Sequence, residues 1–207
     1  MKRFAANFLS IVLIPLLAPT YLFAIILFYF PHVTDIVGIG SKLLAILYIA
    51  LGTVLAPFIV VFILYKKKII SSLSLHEKKD RTIPQIFSCI IYGGICLFLV
   101  NKEGFHNALA LSMIAVTASV LALTIITPFW KISTHACGAW GLFAILYVLQ
   151  YKFYEYNFVI LYYVILASTI GVCLARLYLK VHTPMQVLAG SVLGTAIGFS
   201  LFHLFLS

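Results

Sequence analysis

A chain of 207 residues in which 64% are hydrophobic and 9% are Asp, Glu, Lys or Arg has too little polar surface to be a soluble globular domain. Lipid must solvate it. A net charge of +9 would point to nucleic acid in a soluble protein; here the cations border apolar runs, so the partners implied are anionic lipid head groups and no nucleic acid.

The apolar runs extend for about 15 to 23 positions without a charge, the length an α-helix needs to cross a hydrocarbon layer roughly 30 Å thick. A barrel strand would alternate apolar and polar positions over about ten residues, and these runs do not alternate. In chain order the spans are expected at Phe8 to Phe30, Leu43 to Tyr65, Ile83 to Val100, Ala108 to Ile126, Ile132 to Leu149, Phe158 to Leu174 and Pro184 to Leu206. The fold class is therefore all-α, a polytopic transmembrane bundle of about seven spans in one domain over residues 1–207. The first span follows Met1-Lys2-Arg3 and resembles a signal peptide, but its apolar stretch is too long and lacks a small-x-small exit, so it is read as an anchor. Cys89, Cys96, Cys137 and Cys173 fall in or beside spans without metal-type spacing and read as packing residues.

Seven alternating helices put the N-terminus and the loops after the second, fourth and sixth spans on one side. That side carries Lys2, Arg3, Lys66, Lys67, Lys68, Lys78, Lys79, Arg81, Lys131, Arg176 and Lys180, and the other only Lys42, Lys102 and Lys152. The positive-inside rule makes the cation-rich side cytoplasmic. None of the five carboxylates, and no Lys or Arg, is expected inside a span, which argues against an ion-coupled carrier or proton relay. Gly190, Gly194 and Gly198 form a four-residue stripe on the last span that lets another helix approach closely, either within the chain or across a homodimer.

Three polar segments on the cation-rich side hold residue types that handle phosphate: residues 76–84 (His76 to Pro84), 131–136 (Lys131 to Ala136) and 176–186 (Arg176 to Gln186). An even number of spans separates each from the next, so all three can meet at one membrane surface.

Their order resembles the type-2 phosphatidic acid phosphatase superfamily, whose three motifs run K-x6-R-P, P-S-G-H and S-R-x5-H-x3-D. Arg176 and His182 have the R-x5-H spacing, Ser133 and His135 the S-x-H spacing, and Arg81 precedes Pro84 in a looser first motif. The resemblance covers the chain from about His76 onward and implies the family's six-helix core plus one span. It implies a covalent mechanism with neither metal nor other cofactor, in which His182 attacks phosphorus and water hydrolyses the phosphohistidine. In that scheme Arg176, Arg81 and Lys78 or Lys79 clamp the phosphoryl oxygens, Ser133 adds a donor, and His135 protonates the leaving oxygen and later deprotonates water.

The sequence departs from the pattern at several positions. Ile132 and Thr134 replace the Pro and Gly of the second motif, Ala175 replaces the Ser of the third, and Ser74 falls where the first-motif Lys belongs. Gln186 stands where the family has the Asp that orients the nucleophile; an amide oxygen can hold the ring N–H but does not stabilise positive charge as a carboxylate does, so slower turnover is expected. Thr183, Pro184 and Gln186 also read as a helix capping box, a role compatible with the first.

The function expected is hydrolysis of a phosphomonoester or diphosphate on a membrane lipid: a phosphatidate-like lipid, a polyprenyl diphosphate, phosphatidylglycerol phosphate or a lipid A phosphate. A catalytically weak relative that binds phospholipid head groups and a small transporter are the alternatives. A bacterial inner membrane is the expected residence. The resemblance implies a site facing the periplasm, whereas the cation count implies the cytoplasm, and the sequence leaves the two in conflict.

Overall fold

The computed structural model describes residues 3–75, 77–103 and 107–205. Its helices are α1 (Arg3–Val12), α2 (Ala18–Tyr29), α3 (Ile39–Ala50), α4 (Ala56–Lys66), α5 (Thr82–Glu103), α6 (Ala108–Ile126), α7 (Thr134–Phe153), α8 (Val159–Tyr178) and α9 (Pro184–Phe205), and there is no strand among the described residues. A π-turn at Leu51–Leu55 fuses α3 and α4 into one continuous span. Seven stretches are long and apolar enough to cross a membrane. The surface agrees with lipid as solvent: Ile160, Val37 and Phe4 are exposed, as are Trp130, Tyr151, Tyr154 and Tyr156, aromatic side chains suited to a membrane–water interface.

The helices correct the expected boundaries at several spans, most clearly at the first and the sixth. The first span is not one helix from Phe8 to Phe30. Pro15 has no N–H and its ring clashes with the carbonyl four residues back, so the helix stops at Val12, Ile14 turns extended (φ −63°, ψ 135°), and a short 3-10 turn at Pro15–Leu17 leads into α2. The sixth span runs past Leu174 to Tyr178, so Arg176 lies in the last turn of a membrane helix, where the helix dipole favours a cation. Lys42 likewise sits within α3.

The tightest seam joins α7 to α9. Gly190 packs on the Ser133 carbonyl and Ala136, Gly194 on Cys137 and Gly141, and Gly198 on Gly141 and Ala144. A Cβ at Gly194 would lie 2.9 Å from both the Cys137 carbonyl carbon and the Gly141 nitrogen, so only glycine admits this approach. The stripe is thus buried within the chain, against α7.

A second cluster of buried side chains, with Phe23, Phe30, Leu109, Met113, Leu146 and Phe158 among the largest, lies toward the opposite ends of α2, α6, α7 and α8. It packs those helices together at the end away from the polar segments. Pro57 has no N–H to offer the Thr53 carbonyl four residues back; the Tyr92 hydroxyl donates to it instead at 2.8 Å.

Candidate active site

The loops after α4, α6 and α8 converge on the same end of the bundle. Between α4 and α5 the chain is pinned by buried Asp80, which accepts hydrogen bonds from the Ser71 amide (3.0 Å) and the Ser71 hydroxyl. Leu75 takes a left-handed backbone (φ 49°), which turns its carbonyl to accept the Arg81 Nε–H at 2.7 Å. Arg81 is thereby held by its inner nitrogen, and its terminal nitrogens have no carboxylate partner among the described residues.

At the end of α8, Lys180 adopts a left-handed backbone (φ 55°) and the Val181 amide returns to the Arg176 carbonyl at 3.3 Å, folding the chain back so that His182 follows within one turn of Arg176. The start of α9 is a reciprocal cap: the Gln186 amide donates to Thr183 Oγ1 (3.4 Å) and the Thr183 amide donates to Gln186 Oε1 (3.1 Å). Because Gln186 Oε1 accepts a backbone N–H, it must be the amide oxygen, and the His182 Nδ1 lying 3.2 Å from it must be the donor. Neutral His182 therefore carries its proton on Nδ1. Its Nε2 is a bare lone pair, buried and without a hydrogen-bond partner.

Ser133 caps α7, its hydroxyl accepting from the Ala136 amide at 3.4 Å, and its own amide donates to the Gln186 carbonyl at 3.1 Å. This ties the start of α7 to the first turn of α9. His135 is the second residue of α7, and its Nε2 lies 3.1 Å from the Ser10 carbonyl of α1.

The charges converge. Arg81, Arg176 and His182 are 8%, 7% and 7% exposed. Burial first, and then the positive charges of Arg81, Arg176 and Lys131, push His182 down to about 4, so the ring is neutral at physiological pH. Burial also lowers Arg81, and burial together with Arg81 and Arg176 lowers Lys131. His135 lies within electrostatic reach of Arg176, His182 and Arg81. The N-termini of α7 and α9 open at the same end, adding backbone N–H groups that suit an anion.

Two hollows meet this cluster. One is a cavity of about 370 Å³ running down between the helices; Arg81, Thr134, His135 and Arg176 stand at its polar end, and Leu22, Pro57, Ala115 and Ile145 line its depth. Ile145 is eleven residues along α7 from Thr134, so the cavity reaches about 16 Å into the membrane at 1.5 Å per residue. The other is an outer groove lined by Lys131, Lys180, His182, Thr183 and Gln186.

Of the residues expected from sequence, the fold gathers Arg81, His135, Arg176, His182 and Gln186. Ser133 is completely buried and lines neither hollow. Lys78 and Lys79 are exposed, Lys79 pairs with Glu77 at 3.0 Å, and neither lines the cavity or the groove. Lys131, which opens the second polar segment, stands in the groove beside His182 instead. Thr134 and the Ser10 carbonyl also join the site; the first occupies the Gly position of the second motif, whereas a main-chain group on the first span leaves no sequence signal. His76 and His106 lie outside the described residues, and His32 pairs with Glu155 at 3.4 Å, on the end of the bundle away from the cluster.

Comparison with curated proteins and with solved structures gives no significant match. The PAP2 superfamily model matches residues 50–206, from the π-turn through α9 and across all three polar segments. Seven apolar helices and that match identify an integral membrane protein of phosphatase type. The chain belongs to the PAP2 superfamily, the type-2 phosphatidic acid phosphatases.

Proposed function

We propose that the protein hydrolyses a phosphomonoester or diphosphate on a membrane lipid through a phosphohistidine at His182, without a metal ion. The observation that carries this reading is a pair of buried guanidinium groups, Arg81 and Arg176, with no carboxylate partner among the described residues, beside an unprotonated and unpartnered His182 Nε2. Buried charge of one sign is costly unless a counter-charge arrives. A phosphate supplies it.

The Nε2 lone pair attacks phosphorus, the bond from phosphorus to the lipid oxygen breaks, and His135 gives that oxygen a proton. Water then attacks the phosphohistidine, His135 takes the water proton, and the phosphorus–nitrogen bond breaks to release inorganic phosphate. Arg81, Arg176 and Lys131 carry the charge on the equatorial oxygens in both steps, with Lys131 taking the part that the sequence offered to Lys78 or Lys79. Gln186 holds the His182 tautomer in place of a carboxylate. The apolar cavity beneath the arginines supports a substrate whose tail stays in the membrane.

The test is phosphate release from a panel of lipid phosphates and diphosphates with chelator present. His182→Ala is expected to abolish release, and undiminished release by that variant refutes the mechanism. A second reading, head-group binding with little turnover, is favoured by the amide at Gln186. It predicts saturable binding of the same lipids by the wild type with no phosphate released.

A further inference from the structure

The first span lies outside the residues matched by the family, yet it lines the cavity with Ile14, Pro15 and Leu22 and meets His135 through the Ser10 carbonyl. Pro15 offers no N–H to the Ile11 carbonyl. The Ile14 amide turns back to that carbonyl at 3.3 Å, and Leu13 still bonds to Leu9 at 2.9 Å. The Ser10 carbonyl, which would have accepted from Ile14 in an unbroken helix, is left without its helical donor. His135 Nε2 meets it at 3.1 Å. A carbonyl can only accept, so the ring nitrogen must be the donor.

We infer that the helix break before Pro15 makes the Ser10 carbonyl a positioning group for His135, fixing the proton on Nε2 and leaving Nδ1 as the nitrogen that exchanges protons with the substrate. The inference rests on the phosphatase reading for its consequence. The two histidines of the site are then held in opposite tautomers. Gln186 pins the Nδ1–H of His182 and bares Nε2 for attack, while Ser10 pins the Nε2–H of His135 and bares Nδ1 for proton transfer. In the first step Nδ1 takes up the proton that a singly protonated phosphate brings in and passes it to the leaving lipid oxygen, and in the second it takes a proton from the attacking water and hands it to the released inorganic phosphate; the Nε2–H stays bonded to the Ser10 carbonyl throughout. The rest of α1 suits this anchoring role: Ala6 and Ser10 are buried, and the Ser10 hydroxyl bonds to the Ala6 carbonyl at 2.9 Å, so the side chain does not compete for His135.

The experiment is nitrogen NMR on full-length protein with labelled histidine, the His135 signals assigned by His135→Asn, alongside steady-state kinetics. Wild type is expected to give a protonated Nε2 and a bare Nδ1 at His135 in the neutral ring. Pro15→Ala restores the missing N–H to Ile11, so the Ile14 amide can return to Ser10; it is expected to move His135 toward the Nδ1–H tautomer. It should also lower kcat about tenfold at unchanged KM, part of the 10²–10⁴-fold that general acid–base catalysis contributes. Phe8→Ala, on the exposed face of the same helix and away from both hollows, should change neither the tautomer nor kcat. An Nδ1–H tautomer in wild type overturns the inference even if Pro15→Ala does not fold, and so does a Pro15→Ala protein with an unaltered tautomer or an unaltered kcat. A wild type that releases no phosphate but shows the Nε2–H tautomer, lost in Pro15→Ala, supports the contact and refutes the phosphatase reading instead.

Discussion

Gln186 Oε1 accepts two hydrogen bonds at once, from the Thr183 amide at 3.1 Å and from His182 Nδ1 at 3.2 Å. One side chain thus closes the cap of α9 and orients the proposed nucleophile. Gln186→Glu keeps both acceptors and adds a negative charge beside the ring. That charge stabilises the cation that develops on attack, so kcat is expected to rise several-fold. Gln186→Leu removes both bonds and should lower kcat about 10²-fold or more, with a loss of roughly 1 kcal/mol in stability from the broken cap. Phosphate release and chemical unfolding of the same preparations separate the two effects.

The acid limb of the kcat/KM profile should lie near pH 4, because His182 must be neutral to attack and its burial, with the neighbouring cations, holds it at about 4. From pH 5 to 7 this group gives no slope. Lys131→Met removes one of the cations that depress His182, so the limb should move toward higher pH. Stability follows the same linkage. An unfolded histidine titrates near 6.5, so as pH falls from about 6.5 to 4 the unfolded state takes up a proton that the folded state refuses. This contribution to stability is complete above that window and lost by its lower end. His182→Asn should flatten that part of a stability-versus-pH curve.

Arg176→Gln should lower kcat/KM by about 10²-fold or more, the usual effect of deleting one donor to transition-state charge. Arg176→Lys keeps the charge but not the planar fork, and partial recovery at most is expected.

The lysines give a comparison between loop positions. Lys131→Ala should weaken inhibition by inorganic phosphate several-fold, while Lys79→Ala, whose ammonium is exposed and paired with Glu77, should leave it within about twofold. The reverse order would return the first polar segment to the phosphate site.

Gly194→Ala forces a methyl group onto the Cys137 carbonyl and Gly141 amide, backbone atoms that cannot move without separating α7 from α9. Overpacking of this kind costs about 1–3 kcal/mol. Activity should fall further than stability alone explains, because that seam also carries the Ser133-to-Gln186 bond between the two helix starts.

The spans and the order of the polar segments were legible because both follow from counting: apolar run length sets the helices, and an even number of crossings sets a shared side. Arg176, His182 and Gln186 were equally legible, since they lie within eleven residues around one turn. The choice of lysine was not. Which way the loop before α5 points depends on Asp80 gripping Ser71 and on the left-handed Leu75, neither of which leaves a pattern. Ser133 carried a readable signal as a helix cap, but the span was drawn from Ile132 and so passed through it. The glycine stripe announced a close approach without naming its neighbour. Pro15 was visible inside the first apolar run, yet its consequence, a carbonyl released to a histidine over a hundred residues away, is a long-range pairing that hydropathy does not encode.

The cavity reaches the arginines from within the bilayer, and the groove reaches Lys131 and His182 from the polar end of the bundle. In the proposed reaction each half of a cleaved lipid phosphate would have its own door: the alcohol would drain sideways into hydrocarbon while inorganic phosphate escaped into water, and two fragments that part into immiscible phases rarely meet again. Such sorting would bias the cycle toward hydrolysis without any moving lid.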